Sequence, residues 1–209
     1  MLFRSYNHKL FPTLVKQIDG FLTEKQCEDI VNYVKSDGKI HEYTPHGAIK
    51  GGLGGVSSHQ QIRNNDEIQQ IEKNVSSCSF LSVSLQDAIH QYTTDSGYTH
   101  CKLTQSWINI QKKGSSLGSH THPFSQVSGA LYLKSDDDSS NLYFYNPNQL
   151  LDSVELDRNR FTEYTYELYY FKPQIGTLII FPSWLKHGSF TETNESEERI
   201  TLSFNTLID

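Results

Sequence analysis

The chain predicts a mainly β protein with flanking helices, of the sandwich or jelly-roll kind. Two observations carry that prediction. From Leu103 onward the sequence breaks into about eight short β-branched and aromatic runs, separated by Gly, Pro, Asn, Asp and Ser. Before that point apolar residues recur mainly at helical spacing. Length sets the scale: 209 residues with 36% apolar and 12% aromatic content suffice for one well-buried core and fall short of two. A single domain over 1–209 is therefore expected, with 1–102 as mainly helical support and lid and 103–209 as the β core.

In order along the chain, Phe11 to Phe21 reads as an extended segment. Thr23 followed three residues later by Gln26 is a capping box. Cys27, Ile30, Val31 and Val34 then share a helical face, so the spacing predicts a helix from Thr23 to about Ser36. Thr44 to Ser58 is glycine-rich, with five glycines between Gly47 and Gly55. A phosphate-binding loop would need Ser or Thr after Gly-Lys, whereas Lys50 is followed by Gly51. The segment reads either as a mobile lid or as a flexible linker. Further helices are predicted from about Asp66 to Lys73 and from about Phe80 to Thr94, where Leu81, Leu85, Ala88, Ile89 and Tyr92 share a face. The candidate strands are Leu103 to Gln111, Leu117 to His122, Ser128 to Lys134, Asn141 to Tyr145, Tyr164 to Phe171, Thr177 to Phe181, His187 to Phe190 and Arg199 to Leu207. Ser135 to Ser140 (SDDDSS) is a solvated hairpin loop, and Asn146 to Glu163 is a strand-poor excursion that could touch substrate.

Bulk properties exclude several classes. A formal net charge of −6 works against a nonspecific binder of nucleic-acid phosphates, and no basic stripe points to a nucleic-acid partner. No apolar run is long enough to span a membrane, and the opening MLFRSYNHKLFPTLV lacks a secretory signal pattern. The expected location is the cytoplasm, that of a host cell if the chain is phage-encoded. Cys27, Cys78 and Cys101 form no CxxC pair and read as reduced structural thiols. Oligomeric state is not legible.

The residues that carry chemistry are His120, His122, His187 and Arg199. In an extended segment side chains alternate faces, so His120 and His122 point the same way and can hold one cation between them. Neutral imidazoles suit iron, zinc, copper or nickel better than magnesium or calcium. His187 follows a buried-looking strand ended by Pro182, an element boundary where sites are commonly placed. In the last strand Arg199, Thr201 and Ser203 alternate with Ile200, Leu202 and Phe204. If the first set faces inward, the guanidinium needs an anion, and a carboxylate matches its planar fork. Thr201 could donate to the same anion. The structural alternative for Arg199 is a salt bridge to Glu195, Glu197 or Glu198. Trp107 and Asn109, two apart in the strand before the histidine pair, could line a pocket or pack the core. Tyr132 and Trp184 are open to the same two readings.

The stretches SWINIQKKGSSLGSHTHPFSQVSGALYL, GTLIIFPSWLKHGSF and ERITLSFN resemble the iron(II)- and 2-oxoglutarate-dependent oxygenases of the small bacterial and phage-encoded type, relatives of the prolyl hydroxylases. The resemblance runs from about residue 103 to 207, and the opening IDGFLTEKQCEDIV is similar to the strand and helix that begin such enzymes. It implies a double-stranded β-helix, the cupin-like jelly roll, with His120 and His187 as Fe(II) ligands and Arg199 on the distal carboxylate of 2-oxoglutarate. Asn109, Thr201 and Tyr132 are the accompanying candidates for cofactor binding. The reaction it implies is hydroxylation of a protein side chain or small metabolite, with 2-oxoglutarate and oxygen converted to succinate and carbon dioxide.

One position departs from the family pattern. The second ligand is commonly Asp or Glu, whereas this chain has His122, followed by Pro123. A three-histidine set keeps the iron one positive charge higher than a set with one carboxylate, which disfavours high oxidation states of the metal. Two other readings stay open at this point. One is a cupin-like three-histidine enzyme that does not use 2-oxoglutarate, which would have no need of Arg199 as an anchor; the other is a non-catalytic metal-binding module.

Overall fold

The structure, a computed structural model, describes residues 9–36, 44–45, 53–59, 67–148, 159–189 and 192–208. Strand β1 (Lys16–Ile18) leads into helix α1 (Glu24–Ser36). The capping box forms with both arms in place: Gln26 N–H donates to Thr23 Oγ1 at 3.3 Å, and Thr23 N–H to Gln26 Oε1 at 3.0 Å. Two orphan donors of the first turn are thereby satisfied. Helix α2 is Glu67–Asn74 and helix α3 is Leu81–Ser96. The five predicted face residues of α3 are all buried. This helix runs past Thr94 until Gly97, whose positive φ of 74° ends it as glycine commonly does at this position.

Among the described residues, ten strands build two antiparallel sheets. Besides β1 they are β2 (Thr44–Pro45), β3 (Leu53–Ser57), β4 (Cys101–Ser116), β5 (Val127–Lys134), β6 (Leu142–Tyr145), β7 (Leu168–Phe171), β8 (Leu178–Pro182), β9 (His187–Gly188) and β10 (Glu198–Ile208). The large sheet has the order β1-β8-β5-β10-β4-β3-β2, and the small one β7-β6-β9. Alternation along the large sheet divides its side chains between two environments. Ile108, Ile110, Leu131, Leu133, Leu178, Ile180, Ile200, Leu202 and Phe204 form one apolar cluster with the inner faces of the three helices. Tyr132, Ile179 and Phe181 point the other way, toward Leu142 and Phe144 of the small sheet. The resulting molecule is mainly β, with a jelly-roll core and helices covering one side.

Several expected elements differ from those observed. Leu53–Ser57, expected as lid or linker, is a strand: Gly55 pairs with Gln111, Val56 with Ile110 and Ser57 with Asn109. The long edge of β4 recruits it, and Gly54, with φ 68°, absorbs the register shift between Leu53 and Gly55, a bulge that glycine makes cheap. Residues 46–52 of the glycine-rich stretch lie outside the described residues, as do Asp66 and most of the 146–163 excursion. Leu117 to His122 is no regular strand. It is tied to the chain after β8 at separate points: His120 N–H donates to the carbonyl of His187 at 2.8 Å and His122 N–H to that of Ser183 at 2.9 Å, and Pro123, which has no N–H, follows directly. Of Tyr164 to Phe171 only the last four residues are strand, because Thr165 and Tyr166 turn back onto the carbonyl of Thr162.

Candidate metal centre

The tied segment and β9 bring His120, His122 and His187 together. Their ligand atoms lie within 4.8 Å of one another, and no carboxylate of the described residues joins them. In the acidic hairpin loop, the Asp136 carboxylate accepts hydrogen bonds from Ser139 and Ser196. Gly188 permits the close approach: a Cβ there would stand 2.9 Å from the carbonyl oxygen of Leu117 and 3.0 Å from that of Gly118. His122 and His187 are buried, and His120 is half-buried.

Each ring is held through Nδ1. That atom of His120 lies 2.8 Å from the Gly118 carbonyl oxygen, and that of His187 lies 2.8 Å from the Leu185 carbonyl oxygen. In His122 it lies 2.6 Å from Asn205 Oδ1 and 2.9 Å from Ser128 Oγ. A carbonyl oxygen only accepts, so Nδ1 carries the proton, and Nε2 is the nitrogen with a lone pair for a cation. Three neutral imidazoles converging in this way are a donor set suited to Fe(II), among the first-row metals.

Arg199 lines the same cavity as the histidines, together with Trp107, Asn109, Thr201 and Ser203. The expected alternation thus holds on both strands, and Asn109 donates to Ser203 Oγ across them at 3.0 Å. Arg199 is 5% exposed. One terminal nitrogen donates to Gln111 Oε1 and to Ser140 Oγ; the other reaches Tyr132 OH at 3.4 Å, with the guanidinium 5.2 Å from the centre of that ring. Its Nε is buried with no partner. The expected salt-bridge alternative does not form. Glu198 pairs with Lys35 and Lys134, and no described carboxylate bonds Arg199. A buried guanidinium with neutral partners and an unsatisfied N–H is short of an anion.

Trp184 is half exposed, with its indole N–H 3.4 Å from Tyr98 OH, and is not among the residues that line the cavity. Gln111, Ser128 and Asn205 belong to the site although sequence reasoning passed over them. Both strand patterns pointed to two of them: Gln111 is one more step along the face of Trp107 and Asn109, and Asn205 one more along that of Arg199, Thr201 and Ser203.

Residues 105–205 match the model of a family described as "Putative 2OG-Fe(II) oxygenase". No curated protein matches the chain in sequence. Among solved structures, the chain is similar to a prolyl-4-hydroxylase of Pseudomonas putida, with TM-score 0.56, 13% identity and 94% of each chain covered. It is similar also to the viral collagen prolyl hydroxylase of Paramecium bursaria Chlorella virus-1 in its 2-oxoglutarate complex, with TM-score 0.56 and 14% identity over 93% of this chain and 96% of that one. A prolyl hydroxylase of Trichoplax adhaerens, solved with a hypoxia inducible factor peptide, gives TM-score 0.59 and 14% identity over 91% and 82%. At such identities the likeness is one of fold. The β core thus matches a 2OG-Fe(II) oxygenase family model, and the fold across nearly the whole chain is similar to that of these prolyl hydroxylases.

Proposed function

We propose that the chain is an Fe(II)- and 2-oxoglutarate-dependent dioxygenase that hydroxylates a protein side chain or a small metabolite, converting 2-oxoglutarate and oxygen to succinate and carbon dioxide. The observation that carries this reading is one cavity with three converging imidazoles and a buried arginine that has no carboxylate partner among the described residues. His120, His122 and His187 would hold the metal through Nε2. Arg199 would take the distal carboxylate of 2-oxoglutarate, with Tyr132 and Thr201 beside it and Asn109 on the adjoining strand. When bound, the metal and the 2-oxo acid together supply oxygen activation driven by oxidative decarboxylation. The chain's own part is to orient and to exclude water. Gln111 steadies the guanidinium, while Leu142 and Phe181 wall the cavity with apolar surface. Apart from Arg199 and the histidines, the described lining bears no ionisable side chain, which favours an uncharged reacting group on the substrate. The cupin-like alternative leaves Arg199 without a task.

One apolar cluster unites helices from the first half with strands from the second, which supports reading 1–209 as one domain with the first half as its support. The test is oxygen-dependent formation of succinate from 2-oxoglutarate by the Fe(II)-loaded protein. Activity that vanishes in His187→Ala, together with a stoichiometric equivalent of metal, is the expected result. Full metal retention in that variant would remove His187 from the centre.

A further inference from the structure

We infer that Asn205 is a positioning residue that makes His122 a ligand, standing in for the carboxylate its family commonly places there. The inference rests on the metal-centre reading above and extends it to the network behind the ring. His120 and His187 are oriented by backbone carbonyls of their own loops. His122 is different, because its Nδ1 meets a side chain from the far end of the last strand, Asn205 Oδ1 at 2.6 Å. Asn205 pairs in register with Ser128 of β5, and Ser128 Oγ donates to the same Oδ1 at 2.8 Å and contacts Ser183 Oγ at 2.7 Å. Ser183 in turn donates to Ser125 Oγ at 2.9 Å, while its carbonyl accepts the His122 N–H. Backbone and ring of His122 are thus fixed by one connected set of neutral groups.

The chemistry of that set decides what His122 can do. An amide oxygen cannot donate, so it selects the Nδ1–H tautomer and turns the Nε2 lone pair toward the other two histidines. A neutral imidazole has two tautomers, and the other one would aim an N–H at the metal. Removing groups that orient a histidine ligand typically weakens metal binding about 10- to 100-fold. An amide also leaves the imidazole neutral, so Asn205 does not restore the negative charge that the absent carboxylate would have supplied. Asn205 therefore acts on the metal through His122 and needs no contact with substrate.

Asn205→Ala should bind Co(II), used as an oxygen-stable probe, about 10- to 100-fold more weakly than the parent chain, with an altered visible Co(II) spectrum and an unchanged far-UV circular dichroism. Asn205→Asp, whose carboxylate also accepts from Nδ1–H, should restore affinity to within a few-fold; it keeps the proposal testable if the alanine variant fails to fold. In the metal-free protein, proton–nitrogen correlation spectra of the imidazoles should show His122 as the Nδ1–H tautomer, and that signature should be lost in Asn205→Ala. If Asn205→Ala keeps both the parent's Co(II) affinity and its spectrum, the positioning role falls while the metal centre stands. Failure of the parent chain to bind any Co(II) would overturn both.

Discussion

At the scale of single residues, the ionisable groups that matter are the ones whose surroundings outvote their ordinary chemistry. Glu198 is the clearest outside the site. Burial alone would raise its carboxyl, but hydrogen bonds and charge from Lys35 at 2.5 Å and Lys134 at 2.9 Å outweigh that and hold it below the usual carboxylate range. Its folded-state value thus lies under the unfolded one, near pH 4, so the stabilisation is present above that pH and is lost as pH falls through the folded value. Chemical denaturation should show Glu198→Gln less stable than the parent at pH 7, with the gap closing as pH falls below the unfolded carboxylate value of about 4; a gap independent of pH would show that the two lysines contribute nothing through charge. Burial raises the thiol of Cys27 to about 12, in keeping with a structural role. The histidines and Arg199 were legible because their types are costly to bury without a ligand. For Gln111 and Asn205 the strand patterns gave only the face, not the role, because amides are ordinary strand residues until their partners are known.

At the scale of elements, what was legible followed local rules. The capping box fixed the start of α1, and periodicity fixed the buried face of α3, since both depend on neighbours a few residues away. The strand Leu53–Ser57 was not legible, because its reason to exist is the edge of β4, about a quarter of the chain away, and its glycines argue locally for a loop. The segment carrying His120 and His122, expected as a strand, forms an isolated bridge at His120 and is anchored at separate points, not laddered. This arrangement depends on the bare backbone of Gly188. Gly188→Ala drives a Cβ against three backbone groups, Leu117 O, Gly118 O and Ser119 Cα, at 2.9 to 3.0 Å, so the carbonyl segment must shift. A cost of about 1–3 kcal/mol is expected, together with weaker metal binding because His120 moves with the segment. Thermal unfolding and metal titration of the variant check this; a variant with the parent's Tm and affinity would show that the segment yields freely.

At the scale of the whole molecule, the jelly roll explains why groups so distant in sequence meet. Strands β4, β5 and β10 are neighbours in the large sheet, and each sends one face to the helices and the other into the cavity. The apolar face holds the sheet rigid, and the polar face spends that rigidity on aligning Asn109, Tyr132, Arg199 and Thr201 with the three histidines. Composition and punctuation revealed the β class and the helical flank. They could not reveal the sheet order, which is set by pairings between remote segments. No helix among the described residues is long and apolar enough to cross a membrane.

On the function proposed above, the histidine cluster and Arg199 form one site for a metal-chelating 2-oxo acid. Anaerobic titration of the Fe(II)-loaded protein with 2-oxoglutarate, followed in the visible region, tests it most directly. A saturable charge-transfer band is predicted, and Arg199→Ala should need about 10-fold or more 2-oxoglutarate to reach it, since one charge-assisted contact is worth roughly 1.5–3 kcal/mol. Iron bound without any band, or a band indifferent to Arg199→Ala, would contradict the account.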